Sequence, residues 1–342
     1  MRTILCRATY KKIALFCVLF IFTTAGYAER NIITSFYEIR ALNDEKRIGF
    51  NHVYKHTVED NIEDKSLSDA ESVTGLITVY LPKEKGKYPL ILITHGWKNS
   101  KFSFLALGRT IASSGYAVAV FTSKKKSLPK DWLAAFSSVY KLLKEKTQEK
   151  SHILYGYIDT ENVGVAGHSM GGAAALYFAN FMPFVKAVTA IHPYNGASKA
   201  IELVGSKNEE LGDEFSGIKG AVLILTSEAD LTAYPEKSYR FFKNLNEKIP
   251  ACFLSFQNIK HNSCLDAYRS LLSGGYNKDV FQLYADLITA WFHSFLQDKK
   301  DNLDFFLKDG NQFAEIKSML YTHTNRKHEK YPNYDSKNLA GN

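Results

Sequence analysis

The sequence predicts an α/β protein, with a mostly parallel central sheet covered by helices on both faces. Three observations lead there. Strand and helix signals alternate from residue 73 onward. Several of the strands are continuous apolar runs, as burial on both faces requires. One of them, Val163-Gly164-Val165-Ala166, passes through a glycine-rich turn straight into the helical run that starts at Ala173.

The elements follow in order. Val73 to Leu81 alternates β-branched and polar residues and reads as a strand. Leu90 to Thr94 is a continuous apolar run, suited to the sheet centre. Phe102 to Ser113 carries Phe104, Leu105, Leu107 and Ile111 at helical spacing. Tyr116 to Phe121 is a second buried strand, and Asp131 to Lys146 a helix with Trp132, Phe136, Val139 and Leu143 on one face. After the elbow strand and its helix come strands at Val185–Ile191 and Ala221–Leu225, a helix from Glu236 to Asn246 and a strand at Cys252–Phe256. A long apolar helix from Val280 to Phe295 closes the pattern. Residues 29–72 are mixed and polar, suited to edge strands and loops. Residues 195–219 form a long connection with helical potential, suited equally to a short cap or lid or to a surface excursion.

The first 28 residues read as a signal peptide rather than as part of the fold. Arg2, Arg7, Lys11 and Lys12 precede an apolar run from Ile13 to Phe22, and Gly26-Tyr27-Ala28 supplies small residues for cleavage after Ala28. The run is shorter than the roughly 20 residues that span a bilayer. The expected organisation is therefore a signal peptide at 1–28, a catalytic domain at 29–306 and a basic polar C-terminal extension at 307–342. The expected location is secreted or periplasmic.

Charge excludes one class of partner. The formal net charge of +8 includes four basic residues and no acid in the leader, so the processed chain carries +4. No basic patch interleaved with aromatics points to nucleic acid. The tail, with Arg326, Lys327, Lys330 and Lys337, is the one segment suited to weak contact with a membrane surface. Processing leaves two cysteines, Cys252 and Cys264. Five strand residues separate the start of the Cys252 strand from its far end, roughly 16 Å. A disulfide tolerates under about 7 Å between Cα atoms, so these two are expected to stay apart.

The chemistry centres on Gly167-His168-Ser169-Met170-Gly171-Gly172. A G-x-S-x-G turn between strand and helix exposes a serine Oγ at the top of a sheet, and its glycines permit a backbone approach too close for a Cβ. A serine hydroxyl needs a base, and in such sheets the chain order is nucleophile, acid, histidine. His192 comes too early in that order, and His293 lies within the closing apolar helix. His261 follows the Cys252–Phe256 strand after a short loop and is the expected base. Glu228 and Asp230 both lie in the loop after Ala221–Leu225. Asp230 is preferred because it stands further past the strand end, where it would fix the His261 tautomer. Two backbone amides should hold the oxyanion. These are Met170, next to the nucleophile, and Trp97 in the loop His95-Gly96-Trp97, which His95 is expected to order.

These stretches resemble the α/β-hydrolases of the dienelactone-hydrolase-like group, nearest the bacterial cutinase and polyester-hydrolase branch, with chlorophyllases and platelet-activating-factor acetylhydrolases as cousins. Tyr88 to Trp97, Val165 to Gly172, Glu228-Ala229-Asp230, His261 and Ala290-Trp291-Phe292 carry the resemblance, which runs from about residue 73 to 306. It implies an α/β-hydrolase fold, a Ser169–Asp230–His261 triad and an oxyanion hole at Trp97 and Met170. It also implies substrate contacts at Trp97, His168 and Tyr194. Tyr194 ends His192-Pro193-Tyr194, where polyester hydrolases carry an aromatic. The implied enzyme is an exported serine esterase acting on small or polymeric esters, needing no metal and no cofactor. Two other readings use the same residues: a lipase or phospholipase-type acyl hydrolase with 195–219 as its lid, and a non-catalytic surface protein on a hydrolase fold.

Overall fold

The apolar run Tyr88–Thr94 forms β4, near the middle of the sheet, and its last five residues are fully buried. Its parallel neighbours are β5 (Ala117–Phe121) and β6 (Ile158–His168). Beyond β6 the parallel pairing continues through β7 (Val185–Ile191), β8 (Ala221–Ser227) and β9 (Ala251–Phe256). These six strands, in the order β5-β4-β6-β7-β8-β9, make the buried parallel core that the unbroken apolar runs require. The computed structural model describes residues 35–40, 55–59, 72–73, 76–82, 85–124, 128–195, 215–266, 277–299, 306, 320–326 and 338–340.

Helices cover both faces. On one lie α2 (Pro129–Lys146), α3 (Met170–Phe181) and α4 (Pro235–Lys243), packed through Trp132, Phe136, Leu176, Phe178 and Phe241. On the other lie α1 (Leu105–Ala112) and α5 (Lys278–Leu296), with Leu107, Ile111, Trp291 and Phe292 in the second core layer. The apolar stripes read from the sequence face these layers. The predicted first helix is shorter than its apolar spacing suggested. Lys101–Ser103 forms a separate single turn before α1.

The edges of the sheet are antiparallel or mixed. β3 (Leu76–Leu81) pairs antiparallel with β5 and with β1 (Ser35–Arg40), and β1 pairs parallel with β2 (Lys55–Glu59). At the opposite edge β10 (Leu320–Arg326) pairs antiparallel with β9, and β11 (Asn338–Ala340) pairs with β10. The sheet so described has eleven strands. β10 and β11 both lie beyond residue 306, in the expected C-terminal extension. Part of the segment read as a polar tail extends the sheet, because the free edge of β9 presents unpaired backbone groups that a strand satisfies. The leader 1–28, its cleavage site and residues 196–214 of the long connection lie outside the described residues. Among the described residues, no helix is long and apolar enough to cross a membrane.

Register positions the site. Thr94 of β4 lies beside Gly167 of β6, Gly167 beside Ala190 of β7, Ile191 beside Leu225 of β8, and Ser227 beside Phe256 of β9. The carboxyl ends of five parallel strands therefore come level. The segments that follow them, at residues 95, 169, 192, 228 and 257, open on one rim, as parallel sheets favour for ligand sites.

Candidate active site

Ser169 sits between the last residue of β6 and the first of α3, with φ +55° and ψ −121°. A non-glycine residue rarely adopts this conformation, and it persists only where the surroundings hold it. Four backbone hydrogen bonds do so, one of them from Gly172 N to Ser169 O at 2.9 Å. Ser169 N donates to Ile191 O at 2.9 Å, Ala173 N donates to Ser169 O at 3.1 Å, and Tyr194 N donates to the same oxygen at 3.0 Å. Gly167 has no room for a side chain, since a Cβ there would lie 2.1 Å from Gly171 O. Met170 opens α3, so its amide has no carbonyl four residues back within the helix.

The loop after β4 is braced by His95. The buried ring donates from Nδ1 to Gly96 O at 2.6 Å and accepts from Ser123 N at Nε2, 3.1 Å away. This is the ordering role expected of it. Trp97 follows at the surface, 37% exposed, with Lys98 Nζ 4.2 Å above its ring.

Asp230 and His261 come together after β8 and β9. His261 Nδ1 donates to Asp230 Oδ2 at 2.7 Å. Asp230 Oδ1 accepts from Thr232 N and Ala233 N, each at 2.8 Å. Of the two acids considered, Glu228 instead ties loops together, its Oε1 accepting from Asn258 N at 3.1 Å. Ser227 joins the acid and histidine loops. Its hydroxyl donates to Phe256 O and accepts from Ile259 N.

A further histidine stands in this group. His192 Nδ1 donates to the same Asp230 Oδ2, also at 2.7 Å, and its Nε2 lies 3.0 Å from the Tyr284 hydroxyl. Chain order set His192 aside, and Tyr284 carried no signal beyond its place on an apolar helix. The position of His192 directly after β7, on the shared rim, was the available clue. Burial would raise the Asp230 carboxyl, but the hydrogen bonds from His192 and His261 overcome it and hold the group well below the usual carboxylate range. Burial pushes His192 down, against the pull of Asp230, which favours the neutral imidazole.

His192, Asp230 and His261 are also residue types that ligate metals. Their 2.7 Å N···O separations are those of direct hydrogen bonds. Two ligands on one tetrahedral ion stand roughly 3.3 Å apart, given bonds of about 2.0–2.1 Å. The arrangement is therefore a hydrogen-bonded one.

Of the three side chains expected against substrate, two are buried. His168 is 1% exposed and donates from Nε2 to His261 O at 2.8 Å, its ring 4.6 Å from that of His261. Burial, then the neighbouring His261 and His192, hold its pKa well below the ordinary value. Tyr194 is 2% exposed, with Lys237 Nζ 5.8 Å above its ring. Trp97 alone of the three reaches the surface. Cys252 and Cys264 are both free and buried, as their separation implied.

A doubly covered parallel sheet, a strained serine between strand and helix, and an Asp–His pair after later strands define an α/β-hydrolase. The profile of the PET hydrolase-like family matches residues 56–324, and the chain belongs to that family. Among individual relatives it is similar to Cutinase 2 of Thermobifida cellulosilytica, 25% identical over 186 residues, 54% of this chain and 64% of the relative. It is also similar to Cutinase est1 of Thermobifida alba, 26% identical over 187 residues, 54% of this chain and 57% of the relative. A bis(hydroxyethyl) terephthalate hydrolase of Streptomyces coelicolor is 24% identical over 210 residues, 59% of this chain and 61% of the relative. The chain thus spans 57–64% of the length of these relatives.

Proposed function

We propose that this chain is an exported serine hydrolase that cleaves carboxylic esters through an acyl-enzyme on Ser169. The observation that carries the reading is the 2.7 Å His261–Asp230 hydrogen bond on the rim that also holds the strained Ser169 elbow. Asp230 holds the His261 ring with its Nδ1 protonated, which leaves Nε2 as the base. Ser169 Oγ loses its proton to His261 and attacks the ester carbonyl carbon. The carbonyl oxygen becomes an oxyanion held by the Trp97 and Met170 amides. His261 returns the proton to the departing alcohol. Water, activated by the same histidine, then releases the acid and frees Ser169. No step needs a metal or cofactor.

The substrate side of the reading rests on the rim. Trp97, Leu231 and Tyr234 are 37%, 77% and 46% exposed in the loops after β4 and β8. Exposed apolar groups beside a reacting centre suit an ester with an apolar face, small or polymeric. The relatives named as cutinases and as a terephthalate-ester hydrolase support the same class. Export rests on the sequence of residues 1–28.

The test is Ser169→Ala, assayed on a p-nitrophenyl short-chain ester and with a fluorophosphonate probe. Turnover should fall on the order of 10³-fold or more, with loss of labelling. Undiminished turnover by a folded variant would overturn the assignment.

A further inference from the structure

We infer that His192 is a positioning residue for the Asp230–His261 pair, a second histidine on the acid that fixes the carboxylate and tempers its hold on His261. The inference rests on the esterase reading for its catalytic consequence, and on geometry for the rest.

The wiring has a direction. Asp230 is ionised and can only accept, so both histidines donate to its Oδ2 from Nδ1. A neutral His192 that donates at Nδ1 must accept at Nε2. The Tyr284 hydroxyl, 3.0 Å away, supplies that proton. The order is Tyr284 O–H to His192 Nε2, His192 Nδ1–H to Asp230 Oδ2, with His261 Nδ1–H on the same oxygen. The Tyr284 and His192 rings stack at 5.7 Å and 22°, both buried, so neither has an alternative partner in solvent. The backbone of His192 is itself held in an unusual state, at φ +45°, with its N–H donating to Leu225 O at 2.7 Å. A strained, fully buried residue aimed at the acid is a specific placement rather than passive filling.

Two effects follow. With Thr232 and Ala233 on Oδ1, the carboxylate accepts four hydrogen bonds, so it cannot swing away from His261. The second donor on Oδ2 also draws electron density from the oxygen that His261 uses. A less basic Asp230 stabilises the His261 imidazolium less, so His261 is freed to act as a base at lower pH. The titratable groups facing His192 are Asp230 and His261 from the loops after β8 and β9, His168 at the end of β6, and Tyr284 on α5. Cys264, just beyond His261, interacts with Asp230 and Tyr284, its thiol pushed up by burial.

The experiment compares His192→Phe with His192→Asn. Phenylalanine removes the donor, whereas the asparagine Nδ2 stands near the place of Nδ1. In H192F the acid limb of the kcat/KM profile should move up by about 0.5–1 pH unit, and kcat should fall several-fold with KM little changed. H192N should keep the wild-type limb. Imidazole 15N NMR of the Ser169→Ala protein gives an activity-independent reading. At neutral pH His192 should be protonated at Nδ1 and bare at Nε2. An unmoved acid limb in H192F, or a His192 protonated at Nε2 at neutral pH, overturns the inference. If Ser169→Ala keeps full turnover, the esterase reading falls, while the NMR result still decides the wiring.

Discussion

Gly96 and Ser169 approach so closely that a Cβ on Gly96 would lie 2.8 Å from the Ser169 Cβ and 3.0 Å from His168 Nδ1. The loop after β4 and the turn at Ser169 are thus pressed together with no space for even one methyl group. In the proposed mechanism that contact would set where the Trp97 amide stands relative to the carbon Ser169 attacks. Gly96→Ala must move one loop or the other. A displacement of about 1 Å at such a site costs on the order of 10²-fold in rate, and overpacking costs typically 1–3 kcal/mol of stability. We expect kcat/KM on a p-nitrophenyl ester to fall about 10²-fold while the urea midpoint drops modestly. A variant with wild-type kcat/KM would show that the close approach plays no part in the chemistry.

The two roles proposed for Asp230 separate by pH. Its amide variant Asp230→Asn can present an N–H where His261 needs an acceptor, favouring the wrong tautomer. Loss of kcat on the order of 10³–10⁴-fold is expected, as for triad acids in general. The second job is stability. The carboxyl is held below its ordinary value in the folded protein, so its contribution is present above the unfolded value near 3.8 and is lost as pH falls below it. Urea titrations at pH 6 and pH 3 should show a steeper loss for the wild type than for the variant. Equal losses would mean that Asp230 is not the acid-sensitive group.

Much of this site is legible in the sequence because parallel sheets force their chemistry onto one edge. Once each strand end is found, the residue just after it has few places to go. Ser169, Asp230 and His261 were therefore reachable from strand ends and chain order. His192 was not, because the order nucleophile, acid, histidine places the base after the acid and so passes over it, while hydrogen bonding depends on the lateral spacing of β7 and β8. Burial was equally hidden. Tyr194 and His168 follow or end strands as a substrate contact should, yet the backbone ties around Ser169 draw the one inward and the His261 loop covers the other. The strand at Leu320–Arg326 was missed because its polar composition resembles a solvated tail, and an edge strand needs no apolar signature to pair.

Asp266 provides the clearest stability test away from the reacting groups. Its Oδ2 accepts from Ala106 N at 2.7 Å, in the first turn of α1, whose preceding residue Phe104 offers no side-chain cap. Its own N–H donates to Ser103 O at 2.9 Å, pinning the end of the His261 loop against α1. Burial raises this carboxyl to about 6, outweighing the helix amides that favour its charge. The sign follows. Below the unfolded value near 3.8 the acid is neutral in both states and costs nothing. As pH rises through about 6 the folded protein must bear a buried charge, and stability is lost. The difference amounts to about 1–3 kcal/mol. Asp266→Asn keeps an acceptor without the charge, so it should exceed the wild type in urea midpoint at pH 8 and match it at pH 4. A variant weaker than the wild type at pH 8 would mean that the capping charge outweighs its burial.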